Sequence, residues 1–254
     1  MTCLLEATNV NKVYPFGKNS EQHVLKDVAL RIETGEFLSV MGPSGSGKST
    51  LLYNISGMDK MTSGSVVLDG QEITSLKETD LSQMRLTKMG FIFQQNNLLK
   101  NLTIYDNIVL SAYMAKKEDR KVIDQRAQSL MELTGIADIA DKDITQASGG
   151  QLQRAALCRA LINNPAILFG DEPTGALNSK AAGEVMDLLA SLNREGATIM
   201  LVTHDAKVAA KTERVVYMID GCIMDELHLG KYEGPAQLKE REETLAAWLN
   251  TMGF

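Results

Sequence analysis

The sequence predicts an α/β chain with a mostly parallel sheet, an N-terminal antiparallel β-subdomain and an inserted α-helical subdomain. Three observations point there. Strand-like and helix-like stretches alternate in the second half, a glycine-rich loop joins an apolar run to a helical pattern near residue 42, and the segment from about 98 to 161 is helical in character. Strands that alternate with helices build parallel sheets covered on both faces, so the helical segment reads as an insertion.

The elements follow in order. LLEATNVNKVY, HVLKDVALRIE and EFLSVMG are rich in alternating or continuous β-formers and read as strands, the last two parted by a turn at TGE, residues 34–36. STLLYNISG reads as a helix stopped at Gly57. GSVVLDGQEI reads as a short hairpin around Asp69 and Gly70. GFIF is a strand leading into the helical block. There, TIYDNIVLSAYMA starts behind a Thr103 cap, and DRKVIDQRAQSLMELTGI repeats apolar residues at Val122, Ile123, Leu130 and Leu133. AILFGDE, TIMLVTHD and RVVYMID are strands, and KAAGEVMDLLASLNREG is a helix between the first two. The tail reads as a charged linker and a helix whose Leu245, Trp248, Leu249 and Met252 form an apolar stripe. That stripe fits packing on its own domain or contact with a partner.

Composition narrows the function classes. With 44% hydrophobic and 23% charged residues, the chain can build an ordinary globular core. A net charge of −6 argues against a nucleic-acid partner, which calls for a basic surface. Cys3, Cys158 and Cys222 show no metal or disulfide spacing, which fits a reducing compartment. No stretch approaches the roughly 18 apolar residues of a membrane span, and no signal peptide is visible. A cytoplasmic location is expected, with any membrane role reached through a partner.

The chemistry begins at GPSGSGKS, residues 42–49. It follows the apolar strand FLSVM, precedes a helix and matches G-x-x-x-x-G-K-[ST]. Gly42, Pro43, Ser44, Gly45, Ser46 and Gly47 form a loop whose backbone N–H groups can turn inward around phosphate oxygens. Lys48 is placed to reach the β- and γ-phosphates, Ser49 to ligand Mg²⁺, and Thr50 opens the helix whose dipole favours the anion. The fold expected is therefore a P-loop NTPase core.

Four further positions complete that reading. Asp171 ends a buried strand, where it can hold Mg²⁺ through water, and adjacent Glu172 can polarise an attacking water. His204 follows another apolar strand and is a candidate γ-phosphate sensor. Gln94 follows the strand GFIF, where a neutral amide can touch Mg²⁺ or the lytic water. Tyr14 is a candidate to stack on adenine, or else a core aromatic.

A second glycine pair lies about a hundred residues after the first loop, in SGGQ. Ser148, Gly149, Gly150 and Gln151 open a helix and offer an anion site of their own. In this order, the elements resemble the ATP-binding subunit of an ABC transporter over roughly residues 4–225, and SGGQ is the most specific mark. The resemblance implies a homodimer facing head to tail in the ATP-bound state, with Ser148, Gly149, Gly150 and Gln151 holding the other subunit's ATP in trans. It implies ATP and Mg²⁺ as cofactors, with Glu172, His204 and Lys48 as the catalytic set. It also implies an integral membrane permease as partner, and so a peripheral place on the cytoplasmic side of the membrane. The permease would dock near Gln95 to Thr103, with Leu98 and Leu99 as contacts.

The domain limits that follow are an ABC ATPase domain at 1–230, with the helical subdomain inserted at about 98–161, and a C-terminal linker and helix at 231–254. Two positions depart from the family pattern: Ala147 stands where Leu is usual, and Asn178 stands where the D-loop normally carries Asp. Within the family, FIFQQNNLLKNLTIYDNI, DEPTGAL and VTHD look like the branch serving macrolide export, lipoprotein release and bacitracin-type peptide resistance. The tail leans toward the peptide-resistance group. Other readings are a lipoprotein-release ATPase, a soluble ABC ATPase in repair or translation, and a regulatory subunit that binds ATP without hydrolysing it.

Overall fold

The computed structural model describes residues 2–17 and 20–253; Phe254, which closes the terminal segment, lies outside them. The chain forms two compact units, residues 1–81 with 190–254, and residues 82–189.

The first unit opens with two long antiparallel strands, β1 (Cys3–Phe16) and β2 (Ser20–Glu33). Downstream come β3 (Phe37–Met41), the helix α1 (Lys48–Ile55), and the hairpin of β4 (Ser63–Leu68) and β5 (Gln71–Glu72). The antiparallel sheet runs β2-β1-β4-β5. Its hairpin pairs Leu68 with Gln71 across Asp69 and Gly70, both with positive φ, as a tight two-residue turn requires. After the second unit, the chain returns with β8 (Thr198–Val202), the short α7 (Ala206–Ala209), β9 (Arg214–Ile219), β10 (Cys222–His228) and α8 (Leu238–Thr251). Here β3 lies parallel to both β8 and β9. Every residue of β3 and of β8 is buried, which is why both read as continuous apolar runs.

Three elements are absent from the sequence reading: β10, α2 and the single-turn α7. Residues 222–228, read there as part of the tail, form β10 and extend the sheet antiparallel to β9. Five of its seven residues alternate poorly in polarity (MDELH), so no strand period shows. The helix α2 (Glu78–Lys88), through which the chain passes toward the second unit, buries only Thr87 and has no apolar stripe. Its signals are Glu78 and Asp80 in the first turn with Arg85 and Lys88 in the last, matched to the helix dipole.

The terminal helix packs on its own unit, which decides between the two uses of its stripe. Leu245 and Leu249 are buried against Met41, Ala209, Val215 and Tyr217, with Trp248 and Met252 packed beside them. Arg241, also buried, donates to the carbonyls of Ala210, Thr212, Leu229 and Gly230. A guanidinium satisfied by so many carbonyls ties α8 to the chain ends it covers.

The second unit contains the parallel pair β6 (Met89–Phe93) and β7 (Ile167–Asp171) and, between them in sequence, the helices α3 (Ile104–Ala115), α4 (Arg120–Leu133) and α5 (Gly149–Leu161). Thr103 caps α3 in a capping box with Asp106. The three helices share a core that includes Ile104, Ile108, Ile123, Met131, Ala155 and Cys158. Burial pushes the Cys158 thiol up to about 12, so it stays neutral inside this core. The helix α6 (Ser179–Arg194) then carries the chain back to the first unit.

Candidate functional site

In the first unit, the loop from Gly42 to Gly47 leaves β3 and enters α1. Gly42, Gly45 and Gly47 all have positive φ, at 150°, 81° and 98°. Space makes glycine obligatory at two of them: a Cβ on Gly42 would lie 2.1 Å from the Met218 carbonyl oxygen, and one on Gly47 would lie 2.8 Å from that of Val24. Gly45 meets nothing within 4 Å, so only its backbone conformation calls for glycine there. Lys48 Nζ donates to the carbonyls of Gly42 (2.9 Å) and Pro43 (2.8 Å), which curls its ammonium over the loop. Gly47 gives α1 no side-chain cap, and the Ser46 hydroxyl oxygen is buried with no hydrogen-bond partner. A buried unpaired hydroxyl beside an uncapped helix start is a polar cradle of the kind an anion satisfies.

The same unit brings two other predicted residues toward this loop. Val202 pairs with Val40, and Thr203 N donates to the Val40 carbonyl, so β8 ends beside the strand that feeds the loop. His204 is the next residue and is exposed there. Tyr14 pairs with Gln22 on β2, two residues from Val24, whose carbonyl abuts Gly47. Its hydroxyl donates to Asp59 at 2.6 Å, and Lys12 Nζ lies 4.6 Å from the ring centre. Tyr14 as a residue is 39% exposed, which leaves it outside the core.

The second unit holds the remaining motifs. Phe93 pairs with Asp171, so Gln94 and Glu172 leave the same end of two neighbouring parallel strands. Glu172 has φ 47°, an uncommon conformation for a residue other than Gly, Asn or Asp, and one that redirects its side chain out of the strand. Gly175 gathers the two side chains: a Cβ there would meet Gln94 Nε2 at 2.9 Å and Glu172 Oε2 at 3.3 Å.

Ser148 is the N-cap of α5. Its hydroxyl accepts from Gln151 N, and Gln151 Oε1 accepts from Ser148 N at 2.9 Å, so the two close a capping box. Ser148 and Gly149 are exposed. A Cβ on Gly150 would come within 3.1 Å of Ala181 Cβ, so the second glycine lets α5 approach α6. Ala147 packs on the helical core as a partly buried residue. Asn178 caps α6 by accepting from Ala181 N at 2.9 Å.

One expectation needs correcting. Leu98 and Leu99 were both expected at the surface as docking contacts, but Leu98 is 8% exposed and belongs to the helical core, whereas Leu99 is 51% exposed. Sequence reasoning also missed Gln153 and Arg159. Gln153 Nε2 donates to the carbonyls of Phe93 (3.0 Å) and Pro173 (2.7 Å), and Arg159 donates to those of Asn96 (2.7 Å) and Asn97 (2.8 Å). The signal for Gln153 was available. It shares a helix face with Ala156, Leu157 and Ala160, all buried, and a polar residue on an apolar stripe must find buried partners.

The ABC transporter family model matches residues 25–175. The bacitracin export ATP-binding protein BceA of Halalkalibacterium halodurans is 46% identical over 228 residues, 89% of each chain. The macrolide export ATP-binding/permease protein MacB of Salmonella typhimurium is 42% identical over 99% of this chain, which spans only 38% of that longer relative. Among solved structures, the dimeric post-hydrolysis state of the ATP-binding cassette MJ0796, bound to ADP and Pi, matches with a TM-score of 0.82 and 40% identity, covering 89% of this chain and 99% of that one. The α/β architecture is that of an ABC ATPase cassette with a P-loop NTPase fold. With more than half of its residues matched by the family model, this chain belongs to the ABC transporter family.

Proposed function

We propose that this chain is an ATP-hydrolysing subunit that powers a separate membrane permease, in export of, or resistance to, antimicrobial peptides or antibiotics. The observation that carries it is the presence, in one chain, of two helix starts built for anions: the glycine loop before α1 and the exposed, capped Ser148–Gly149 start of α5. We assign the first to the chain's own ATP and the second to the ATP of a second copy, so that nucleotide joins a homodimer.

The roles follow the chemistry of the side chains. In the first unit, Lys48 and the backbone of residues 42–47, with Thr50 behind them, bind the phosphates, His204 senses the γ-phosphate and Tyr14 stacks on adenine. In the second unit, Glu172 takes a proton from the attacking water, and Gln94 reports the state of the site to the helical block. Asn178 stands at the D-loop position. The Ser49 hydroxyl, the Asp171 carboxylate and the Gln94 amide oxygen are the hard oxygen donors that Mg²⁺ prefers. When bound, Mg²⁺ would neutralise phosphate charge.

Among the described residues, no helix is long and apolar enough to cross a membrane. We place the chain peripherally, on the cytoplasmic side, through its permease, on the strength of its similarity to transporter ATP-binding subunits. Identity of 46% to BceA, against 42% to the lipoprotein-releasing system ATP-binding protein LolD 1 of Chlorobium chlorochromatii at similar coverage, leads us to prefer peptide resistance over the lipoprotein-release reading. Affinity purification of the tagged chain from detergent-solubilised host membranes tests the assignment. A single permease should copurify with the wild type, and Leu99→Glu should weaken its recovery while ATP binding persists. Recovery of ribosomes or repair proteins without a permease would overturn the reading.

A further inference from the structure

The helix that begins at Ser148 also grips the segments that carry Gln94 and Glu172. Gln153, 2% exposed, spends both amide hydrogens on carbonyls: that of Phe93, immediately before Gln94, and that of Pro173, immediately after Glu172. Two turns of helix further on, Arg159 holds the carbonyls of Asn96 and Asn97, just past Gln94. Asn97 has φ 50°, so its carbonyl points where an ordinary extended residue would not present it. The Gln94 backbone is thus fixed from α5 on both sides, and the turn behind Glu172 is fixed from the same side chain as the front of the Gln94 loop. Gly175 then allows the Gln94 amide and the Glu172 carboxylate to close on one point.

An α-helix of 13 residues is stiff and about 20 Å long, so a displacement at one end is carried to the other. We infer that α5 is a strut in which Gln153 and Arg159, acting as positioning residues, set Gln94 and Glu172 according to what the Ser148 end has bound. This rests on the reading in which Ser148 meets the ATP of a second copy. It adds the route by which that contact reaches the hydrolytic groups of the chain that makes it. In this arrangement, ATP seated at the partner-facing end of α5 arms Glu172 of the same chain.

The test uses the full-length chain, with ATP turnover, ATP-dependent dimerisation and thermal midpoint measured together. Gln153→Leu should lower kcat at least tenfold or so, since small misplacements of catalytic groups are costly in rate. It should shift KM for ATP by less than about twofold, because the phosphate loop is untouched. In a Glu172→Gln background, ATP should still dimerise the Gln153→Leu chain. Arg159→Lys, which keeps a donor for one of the two carbonyls, should retain more activity than Arg159→Met. That pair decides the question if Gln153→Leu fails to fold. A lowered midpoint with unchanged kcat would make these ties structural only and overturn the proposal. So would a loss of dimerisation in step with the loss of rate. A wild-type chain that neither hydrolyses ATP nor dimerises with it would instead overturn the assigned function, and this inference with it.

Discussion

Asn178 Oδ1 accepts a 2.9 Å hydrogen bond from the backbone N–H of Ala181, so the residue that departs from the D-loop pattern is the N-cap of α6. Asn and Asp cap helices about equally well, and an Asp there gains a favourable interaction with the helix dipole. The departure therefore has little to do with folding, and in the proposed dimer its consequence falls on the charge of the D-loop.

Asn178→Asp should change stability by no more than about 0.5 kcal/mol, since it exchanges one good cap for another. Restoring the carboxylate should raise the ATPase rate of the assembled complex. Melting curves and steady-state turnover on the same preparation check both parts. An unchanged or lower rate would assign no coupling role to the missing charge.

The phosphate loop gives a steric contrast within five residues. Gly42→Ala drives a Cβ into the Met218 carbonyl and should destabilise the fold by more than about 3 kcal/mol, the range of severe packing clashes. Gly45→Ala meets open space and should cost only the left-handed backbone penalty, about 1–2 kcal/mol. Chemical denaturation of the two variants measures the difference. Equal destabilisation would mean that the loop relaxes away from Met218.

Tyr14, proposed above to stack on adenine, also links stability to pH. Burial, and then the hydrogen bond to Asp59, pushes its hydroxyl from 10.0 up to about 12. The unfolded chain loses this proton first, so the contribution is intact below pH 10 and is lost as pH rises through about 12. Tyr14→Phe should flatten this alkaline decline and keep the ring for adenine. Tyr14→Ala should raise KM for ATP several-fold, as loss of about 0.5–1.5 kcal/mol of ring stacking implies. If Phe and Ala variants bind ATP alike, the ring does not touch the base.

Much of this was legible in the sequence because the motifs depend on local geometry. A glycine loop between an apolar strand and a helix, or a Ser–Gly–Gly helix start with Gln at the third helical position, carries its own conformational requirements. The buried strands β3 and β8 read as apolar runs, and the Asp69–Gly70 turn reads from its residue types. What escaped depends on tertiary partners. The strand β10 is an edge whose pairing with β9 leaves its outward residues charged, and α2 buries one residue. The difference between Leu98 and Leu99 is one of chain direction after β6, which no local pattern sets. Arg159 bonds to main-chain carbonyls, and a carbonyl has no residue identity to leave in the sequence; Gln153 does the same, but its place on a buried helix face marks it as a residue that needs buried partners.

In the proposed function one chain grips phosphate twice, once for itself and once for a second copy. Analytical ultracentrifugation of the full-length Glu172→Gln chain with saturating MgATP tests it most directly, because removing the base preserves bound ATP. The chain should be a dimer with ATP and a monomer with ADP, and should return to a monomer with ATP when Ser148→Arg is added. A chain that binds ATP and stays monomeric, or a dimer indifferent to Ser148→Arg, would contradict it.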